Sequence, residues 1–218
     1  MPELTPAYRF AMSVSTPAVR WWGRLEVSGL EHLPPTGPVL LAGNHDSYWD
    51  PVAIGVAAMP VRQIHALAKR ELWGVPGLGR VLDGMGQVPI DRGKGDSGAL
   101  DQAVERLRAG ACIGIFLEGT RSLGRELRAR SGYLRLAERV PEAELVSVSV
   151  TGTTDIPRFP RPRPRVRVRF FRPSYTERGP ELPARMLAEI RAQAPIAATG
   201  RTPERQRRLR EKKEAARA

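Results

Sequence analysis

The chain has 218 residues, 41% of them hydrophobic and 27% charged, which is typical of one folded domain and excludes a wholly disordered protein. Its formal net charge of +12, carried almost entirely by arginine, favours an anionic partner: nucleic acid, an anionic lipid surface or a phosphorylated substrate. The single cysteine, Cys112, cannot form an internal disulfide, so we expect a reducing compartment.

The sequence predicts no membrane-spanning helix. Its longest apolar run, residues 51 to 61, is much shorter than the ~18 apolar residues that a spanning helix needs. The opening residues, Met1, Pro2 and Glu3, lack the basic and apolar regions of a secretory signal, so we expect no such signal. Any membrane association is therefore expected to be peripheral, at the cytoplasmic face of the cell membrane.

The first predicted element is a helical segment within residues 1 to 24. It places Trp21 and Trp22 close to Arg9 and Arg20, a mixture typical of a helix that lies in the headgroup layer of a membrane. The alternative is a helix that packs on the protein core and is broken at Pro17, because both arrangements require an apolar face. We expect an interfacial, membrane-associating segment.

From residue 25 onward, short strands alternate with helices, which predicts an α/β fold: a single domain with a mixed β-sheet flanked by helices. Predicted strands cover residues 39–42, 64–68, 112–116, 145–150 and 165–170, and predicted helices cover 50–58, 100–107 and 134–139. The last strand alternates arginine with apolar residues, as a half-buried strand near an edge does. We assign residues 25–200 to this domain and residues 201–218 to a basic C-terminal tail, which begins with helix-start signals.

The first candidate site is the segment from Gly43 to Pro51, directly after a buried strand. His45 lies at the carboxyl end of that strand, where α/β sheets usually build their sites, and Asp50 follows five positions later. Asp50 can orient the imidazole as a general base. The alternative is that Asp50 only caps the helix starting at Pro51, with His45 as a turn residue.

The second candidate site follows the strand at residues 112–116. Gly119 permits close approach to the backbone, Thr120 offers a hydroxyl, and Arg121 offers a planar group suited to phosphate. The alternative is a solvated turn with a surface arginine.

Together these stretches resemble the glycerolipid acyltransferases, and the lysophosphatidate acyltransferases in particular. The first family motif is matched by Asn44, His45 and Asp50, and the third by residues 116–122, with Leu117 where the family usually has proline. The second motif is matched by Ala68, Lys69, Glu71, Leu72, Pro76, Gly79, Ile90, Asp91 and Arg92. The fourth resembles residues 146–152, with Ser147 in place of a proline. The order and spacing of the motifs make the resemblance specific.

The resemblance implies an acyltransferase that moves a fatty acyl group from acyl-CoA or acyl-ACP to 1-acyl-sn-glycerol 3-phosphate, giving phosphatidic acid. It implies His45 as general base, oriented by Asp50, with no cofactor and no metal. Backbone amides at the start of the Asp50 helix are candidates for the oxyanion donors. The acceptor's phosphate and headgroup would be bound by Lys69, Arg92, Glu118, Gly119, Thr120 and Arg121. Another lysophospholipid, glycerol 3-phosphate or a glycolipid acceptor remains open, as does the choice of carrier.

Other readings of the sequence are weaker. A nucleic-acid-binding module would need basic residues interleaved with stacking aromatics, and the tail from Arg201 has no aromatic residue. We therefore expect membrane lipids and an anionic bilayer surface as partners, and no nucleic acid, although a tail that only aids solubility is an alternative. The segment Gly95 to Gly98 matches a protease nucleophile motif without the strand pattern of that fold. Cys112 lies in an apolar strand and is expected to be a core residue.

Overall fold

The computed structural model describes residues 3–91, 97–157 and 163–197, which form a seven-stranded sheet with helices on both faces. The strands are β1 Glu26–Ser28, β2 Val39–Gly43, β3 Ile64–Lys69, β4 Val88–Ile90, β5 Cys112–Phe116, β6 Glu144–Thr151 and β7 Arg167–Phe171. Their order across the sheet is β1-β7-β6-β2-β5-β3-β4. Among the strand pairs of the described residues, only β6–β7 is antiparallel, so the sheet is mixed, as the sequence predicted.

The helices pack on two faces because the apolar side chains of the central strands alternate between those faces. The helices are α1 Pro6–Thr16, α2 Asp50–Ala58, α3 Leu78–Gly84, α4 Ser97–Arg108, α5 Gly132–Arg139 and α6 Leu182–Gln193. One core contains Leu40, Ile113 and Leu145 with side chains of α4, α5 and α6. The other contains Leu41 and Val146 with side chains of α2.

Two adjacent strands bring the candidate sites together. β2 and β5 are parallel neighbours, and their last residues, Gly43 and Phe116, are partners in the register. The carboxyl ends of parallel neighbours lie at the same edge of a sheet, about 5 Å apart. The loops that begin at Asn44 and Leu117 are therefore placed side by side.

The structure corrects two local predictions. Asp50 is the first residue of α2 and not its N-cap; the N-cap is Trp49, which makes no side-chain cap. Pro17 does not break the first helix, because its φ of −57° fits a helical turn and the chain continues as a π-helical segment, Pro17–Trp22. The predicted central strands are confirmed. The tail at 201–218 lies outside the described residues.

The N-terminal helix has one face on the core and one in solvent. Tyr8 and Met12 are buried against α2, and the Tyr8 hydroxyl lies 3.4 Å from the Gly55 carbonyl oxygen. On the other face Phe10, Val14 and Trp21 are 64–68% exposed. The two interpretations of this segment are therefore compatible, since core packing uses one face and leaves an apolar stripe on the other. No helix in the described ranges is long and apolar enough to cross a bilayer.

Candidate active site

The two residues predicted to form the base meet at the end of β2. His45 Nδ1 lies 3.0 Å from Asp50 Oδ2, and both side chains are buried. A carboxylate can only accept, so Nδ1 carries the hydrogen and Nε2 is left as the acceptor. The pair has the geometry of an oriented general base.

Asp50 is held by a ring of donors. The backbone N–H groups of Asp46 and Ser47 donate to Asp50 Oδ2 at 2.6 and 2.7 Å, and the Thr153 hydroxyl donates to Asp50 Oδ1. Because these donors satisfy a carboxylate that is 0% exposed, its position in front of His45 is fixed. The helix-cap alternative for Asp50 is wrong, since its carboxylate faces the loop before the helix.

The His45 loop is tied to both neighbouring strands. Asn44 exchanges two hydrogen bonds of 2.8 Å with the backbone of Val150 in β6. On the other side, the Ser122 N–H donates to the His45 carbonyl oxygen at 2.7 Å. The imidazole stacks on the Phe116 ring with centroids 4.1 Å apart and planes within 9°. The ring is therefore fixed by its loop and by a neighbour from β5.

Arg121 is brought next to the His45 loop by Tyr48. The Arg121 guanidinium carbon lies 3.6 Å from the centre of the Tyr48 ring, whose residue is 69% exposed. Stacking engages the face of the guanidinium and leaves its in-plane N–H donors suited to a phosphate. This places a preformed cationic group at the rim of the site.

The remaining predicted binding residues differ in position. Thr120 is exposed, and Gly119 has a φ of +69° that glycine adopts without strain. Lys69 ends β3, two strands from β2 and so about 10 Å along the same edge, and its ammonium pairs with Glu71 at 2.6 Å. Arg92 lies outside the described residues.

Glu118 is placed differently from its neighbours, because it is only 2% exposed. Its Oε2 accepts the His45 N–H at 2.9 Å, and its carboxylate also accepts from the guanidinium of Arg191. A buried and fully engaged carboxylate is suited to bracing the two loops. Thr120 and Arg121 are better suited than Glu118 to contact an anionic phosphate.

The two positions where the family usually has proline are both buried here. Leu117 is 1% exposed, and its N–H donates to the Gly43 carbonyl oxygen at 3.1 Å, a bond that proline cannot make. Ser147 is buried within β6. At Leu117 the structure therefore replaces the stiffness of proline with an inter-strand hydrogen bond.

The expected source of oxyanion donors is not supported at the helix start. Pro51 has no N–H, the Trp49 amide donates to Ser47 Oγ at 3.2 Å, and the Asp50 amide donates to the Ser47 carbonyl oxygen at 3.2 Å. These amides are engaged within the turn. They are poorly placed to stabilise a developing oxyanion.

Three site residues were missed by the sequence analysis: Asp46, Thr153 and Arg191. Asp46 lies inside the first motif, and its carboxylate accepts from the Ser122 hydroxyl. Thr153 directly follows the fourth motif. The positions of Asp46 and Thr153 relative to the motifs could therefore have indicated them. No signal in the sequence indicated Arg191.

Cys112 is buried, and burial raises the pKa of its thiol to about 12, which fits a core residue. Within the described ranges, no group of three or more His, Cys, Asp or Glu residues is placed to hold a metal ion.

Comparisons with known proteins show which proteins this chain is similar to. The family model described as Acyltransferase matches residues 24–158. The 1-acyl-sn-glycerol-3-phosphate acyltransferase of Bacillus subtilis is 27% identical over 145 residues, 66% of this chain and 71% of that protein. The lyso-ornithine lipid O-acyltransferase of Pseudomonas aeruginosa is 34% identical over 125 residues, 53% of this chain and 46% of that protein. The crystal structure of the 1-acyl-sn-glycerophosphate acyltransferase of Thermotoga maritima shares the fold, with a TM-score of 0.68, 22% identity, and coverage of 86% and 78%.

Proposed function

Because the chain belongs to the acyltransferase family, we propose that it moves a fatty acyl group from acyl-CoA or acyl-ACP to the free hydroxyl of 1-acyl-sn-glycerol 3-phosphate. The product of this transfer is phosphatidic acid. The observation that carries the proposal is the His45–Asp50 pair, 3.0 Å apart and held in a fixed loop beside Arg121. A base next to a cationic rim suits an acceptor that has both a hydroxyl and a phosphate.

In the proposed reaction His45 is the general base. Its Nε2 takes the proton of the acceptor hydroxyl as that oxygen attacks the thioester carbonyl, and Asp50 stabilises the imidazolium that forms. The tetrahedral intermediate then breaks its C–S bond, and the thiolate leaves. The imidazolium returns its proton to the departing sulfur or to water, which restores the base.

An enzyme nucleophile is unnecessary in this reaction, and the two serine hydroxyls next to the His45 loop are engaged. The Ser47 hydroxyl donates to the Thr153 carbonyl oxygen at 3.3 Å, and the Ser122 hydroxyl donates to Asp46. Cys112 is 0% exposed in the core. These positions favour direct transfer between two bound substrates over a covalent acyl-enzyme.

The proposed location is peripheral, on the cytoplasmic face of the membrane, with the N-terminal helix in the headgroup layer. The exposed stripe of Phe10, Val14 and Trp21 supports this proposal, because arginines flank it at Arg9 and Arg20. Aromatic rings with adjacent guanidinium groups suit the boundary between acyl chains and headgroups. An acceptor that resides in the bilayer would then lie close to the enzyme.

A second candidate acceptor is a lyso-lipid without the glycerol phosphate. The observation that favours it is the 34% identity to the Pseudomonas protein, whose name gives lyso-ornithine lipid as its acceptor. Arg121 argues for the phosphate-bearing acceptor, because a stacked guanidinium presents a fork of donors that matches phosphate.

The test is product identification. The protein is incubated with palmitoyl and oleoyl thioesters and a panel of lysophosphatidate, glycerol 3-phosphate, other lysophospholipids and lyso-ornithine lipid, and product masses are measured. We expect phosphatidic acid to dominate, and His45→Ala to lower turnover by about 10²–10⁴-fold while the protein stays folded. If lyso-ornithine lipid is the acceptor that is mainly acylated, it would take the place of 1-acyl-sn-glycerol 3-phosphate in the proposal. Near-normal turnover of a folded His45→Ala protein would overturn the mechanism.

A further inference from the structure

One arginine from outside the family-matched region connects both loops of the site. Arg191 lies on α6, 145 residues from Asp46 and beyond the match that ends at residue 158. Its Nη1 and Nη2 each donate to an oxygen of the Asp46 carboxylate at 2.9 Å. Its Nε and Nη2 donate to Glu118 Oε1 at 3.1 and 2.6 Å. A single guanidinium therefore binds one carboxylate from each loop.

This cluster is buried next to the loop that carries the base. The side chains of Arg191, Asp46 and Glu118 are 14%, 5% and 1% exposed. Asp46 is the residue after His45, and Glu118 accepts the His45 backbone N–H. Two buried carboxylates this close together repel each other unless a cation compensates them, and removal of one partner leaves an unpaired buried charge.

We propose that Arg191 is a positioning residue that sets the location and the charge environment of His45. The inference rests on the proposed role of His45 as the base. Arg191 is too deeply engaged to contact the substrate, and it acts through Asp46 and Glu118. Its planar fork can serve two carboxylates at once, which a lysine ammonium cannot do with the same geometry.

The charge environment gives a readout that packing alone would not change. The charged groups around His45 are Asp50 from α2, Asp46 from its own loop, Glu118 from the loop after β5, and Arg191 from α6. Loss of the arginine charge leaves the carboxylates in excess and favours the protonated imidazole. His45 would then titrate at higher pH than in the wild type, and the acid side of the pH–rate profile would move in the same direction.

Three variants separate the possibilities. Arg191→Gln removes the charge and the fork, and Arg191→Lys keeps the charge and removes the fork. Arg185→Gln is the matched control, because Arg185 lies on the same helix with its side chain 57% exposed and paired with Glu181. Each protein is measured for kcat, for KM of acceptor and donor across pH, and for thermal unfolding. The His45 ring is titrated by NMR, which is practical because the chain has three histidines and His45→Ala assigns the signal.

We expect Arg191→Gln to lower kcat by about 10–10²-fold, since buried charge-assisted hydrogen bonds are lost. The KM for the donor should change less than kcat does. The His45 titration should move to higher pH in Arg191→Gln and return towards the wild-type midpoint in Arg191→Lys, whose kcat stays low. Arg185→Gln should match the wild type throughout. If Arg191→Gln does not fold, Arg191→Lys keeps the inference testable: a wild-type kcat would overturn it, and a lowered kcat with an unchanged KM for the donor would support it.

Two results would overturn the inference. The first is a folded Arg191→Gln protein whose kcat and His45 titration both match the wild type. The second is equal loss in both Arg191 variants with an unmoved titration, which would make Arg191 a packing residue only. Normal turnover of His45→Ala would instead contradict the proposed function, and the NMR titration would still report on Arg191.

Discussion

Replacement of Asp50 by asparagine separates the two tasks assigned to this carboxylate. The amide oxygen can still accept from the N–H groups of Asp46 and Ser47, which lie 2.6 and 2.7 Å from Asp50 Oδ2. The amide nitrogen then faces the Thr153 hydroxyl, which can turn to accept instead of donating. We therefore expect Asp50→Asn to fold with the His45 ring still oriented. What it loses is the negative charge that stabilises the imidazolium.

The size of this loss follows from the burial of the pair. Asp50 and His45 are 0% and 6% exposed, so water screens their interaction weakly. Two unit charges about 4 Å apart attract by about 4 kcal/mol at an effective dielectric constant of about 20. At about 1.4 kcal/mol for each factor of ten, this corresponds to about 10³ in rate. The retained neutral hydrogen bond recovers part of it, so we expect turnover to fall by about 10²–10³-fold.

The assay is steady-state acyl transfer to lysophosphatidate from oleoyl-CoA, with thermal unfolding measured in parallel. Asp101→Asn is the matched control: its side chain is 56% exposed and pairs with Arg139 at 2.7 Å, away from the site. The control should keep wild-type turnover, since exposed ion pairs contribute little. A folded Asp50→Asn protein with turnover within about threefold of the wild type would show that the charge has no catalytic part.

Two further predictions concern the rim and the membrane. Arg121→Ala should lower kcat/KM for lysophosphatidate by about 10–150-fold, because a charged hydrogen bond contributes about 1.5–3 kcal/mol. Saturation by the thioester should change little. A loss confined to the thioester would mean that the assignment of the acceptor and donor sites must be reversed. Binding to anionic vesicles, measured by co-sedimentation, should weaken but persist at high salt. Replacement of Phe10, Val14 and Trp21 by serine should remove the binding that persists at high salt, and deletion of 201–218 should reduce the binding that high salt weakens. A folded triple variant that binds as the wild type does would contradict the interfacial role of this helix.

The base could be predicted because its chemistry is local. His45 and Asp50 are five positions apart across a strand-to-helix turn, so the sequence nearly fixes their separation. What the sequence left open was the direction of the Asp50 side chain, which can cap a helix or face the loop before it. The structure resolves this through two backbone amides, of Asp46 and Ser47, that point at the carboxylate. Such amide directions depend on the backbone conformation of the turn, which residue identity alone does not specify.

The support of the base could not be predicted because it is distant along the chain. Thr153 is 103 residues from Asp50, and Arg191 is 145 residues from Asp46. Helix α6 reaches the site only because β6 and β7 place it over the sheet, and no local pattern distinguishes Arg191 from other arginines on this strongly basic chain. The N-terminal helix was ambiguous for a different reason. Its sequence pattern is local, but it has apolar residues both on the face that packs on the core and on the face that is exposed.

The distribution of charge also orients the proposed acceptor. The interior of the site is acidic, because Asp46 and Glu118 share the buried guanidinium of Arg191 and Asp50 adds a third carboxylate beside His45. A phosphate would be repelled from that interior and attracted to Arg121 at the rim. The glycerol phosphate would therefore enter with its phosphate outside and its hydroxyl towards His45. The net charge of +12 conceals this arrangement, since it sums the charges of the whole chain without regard to where they lie.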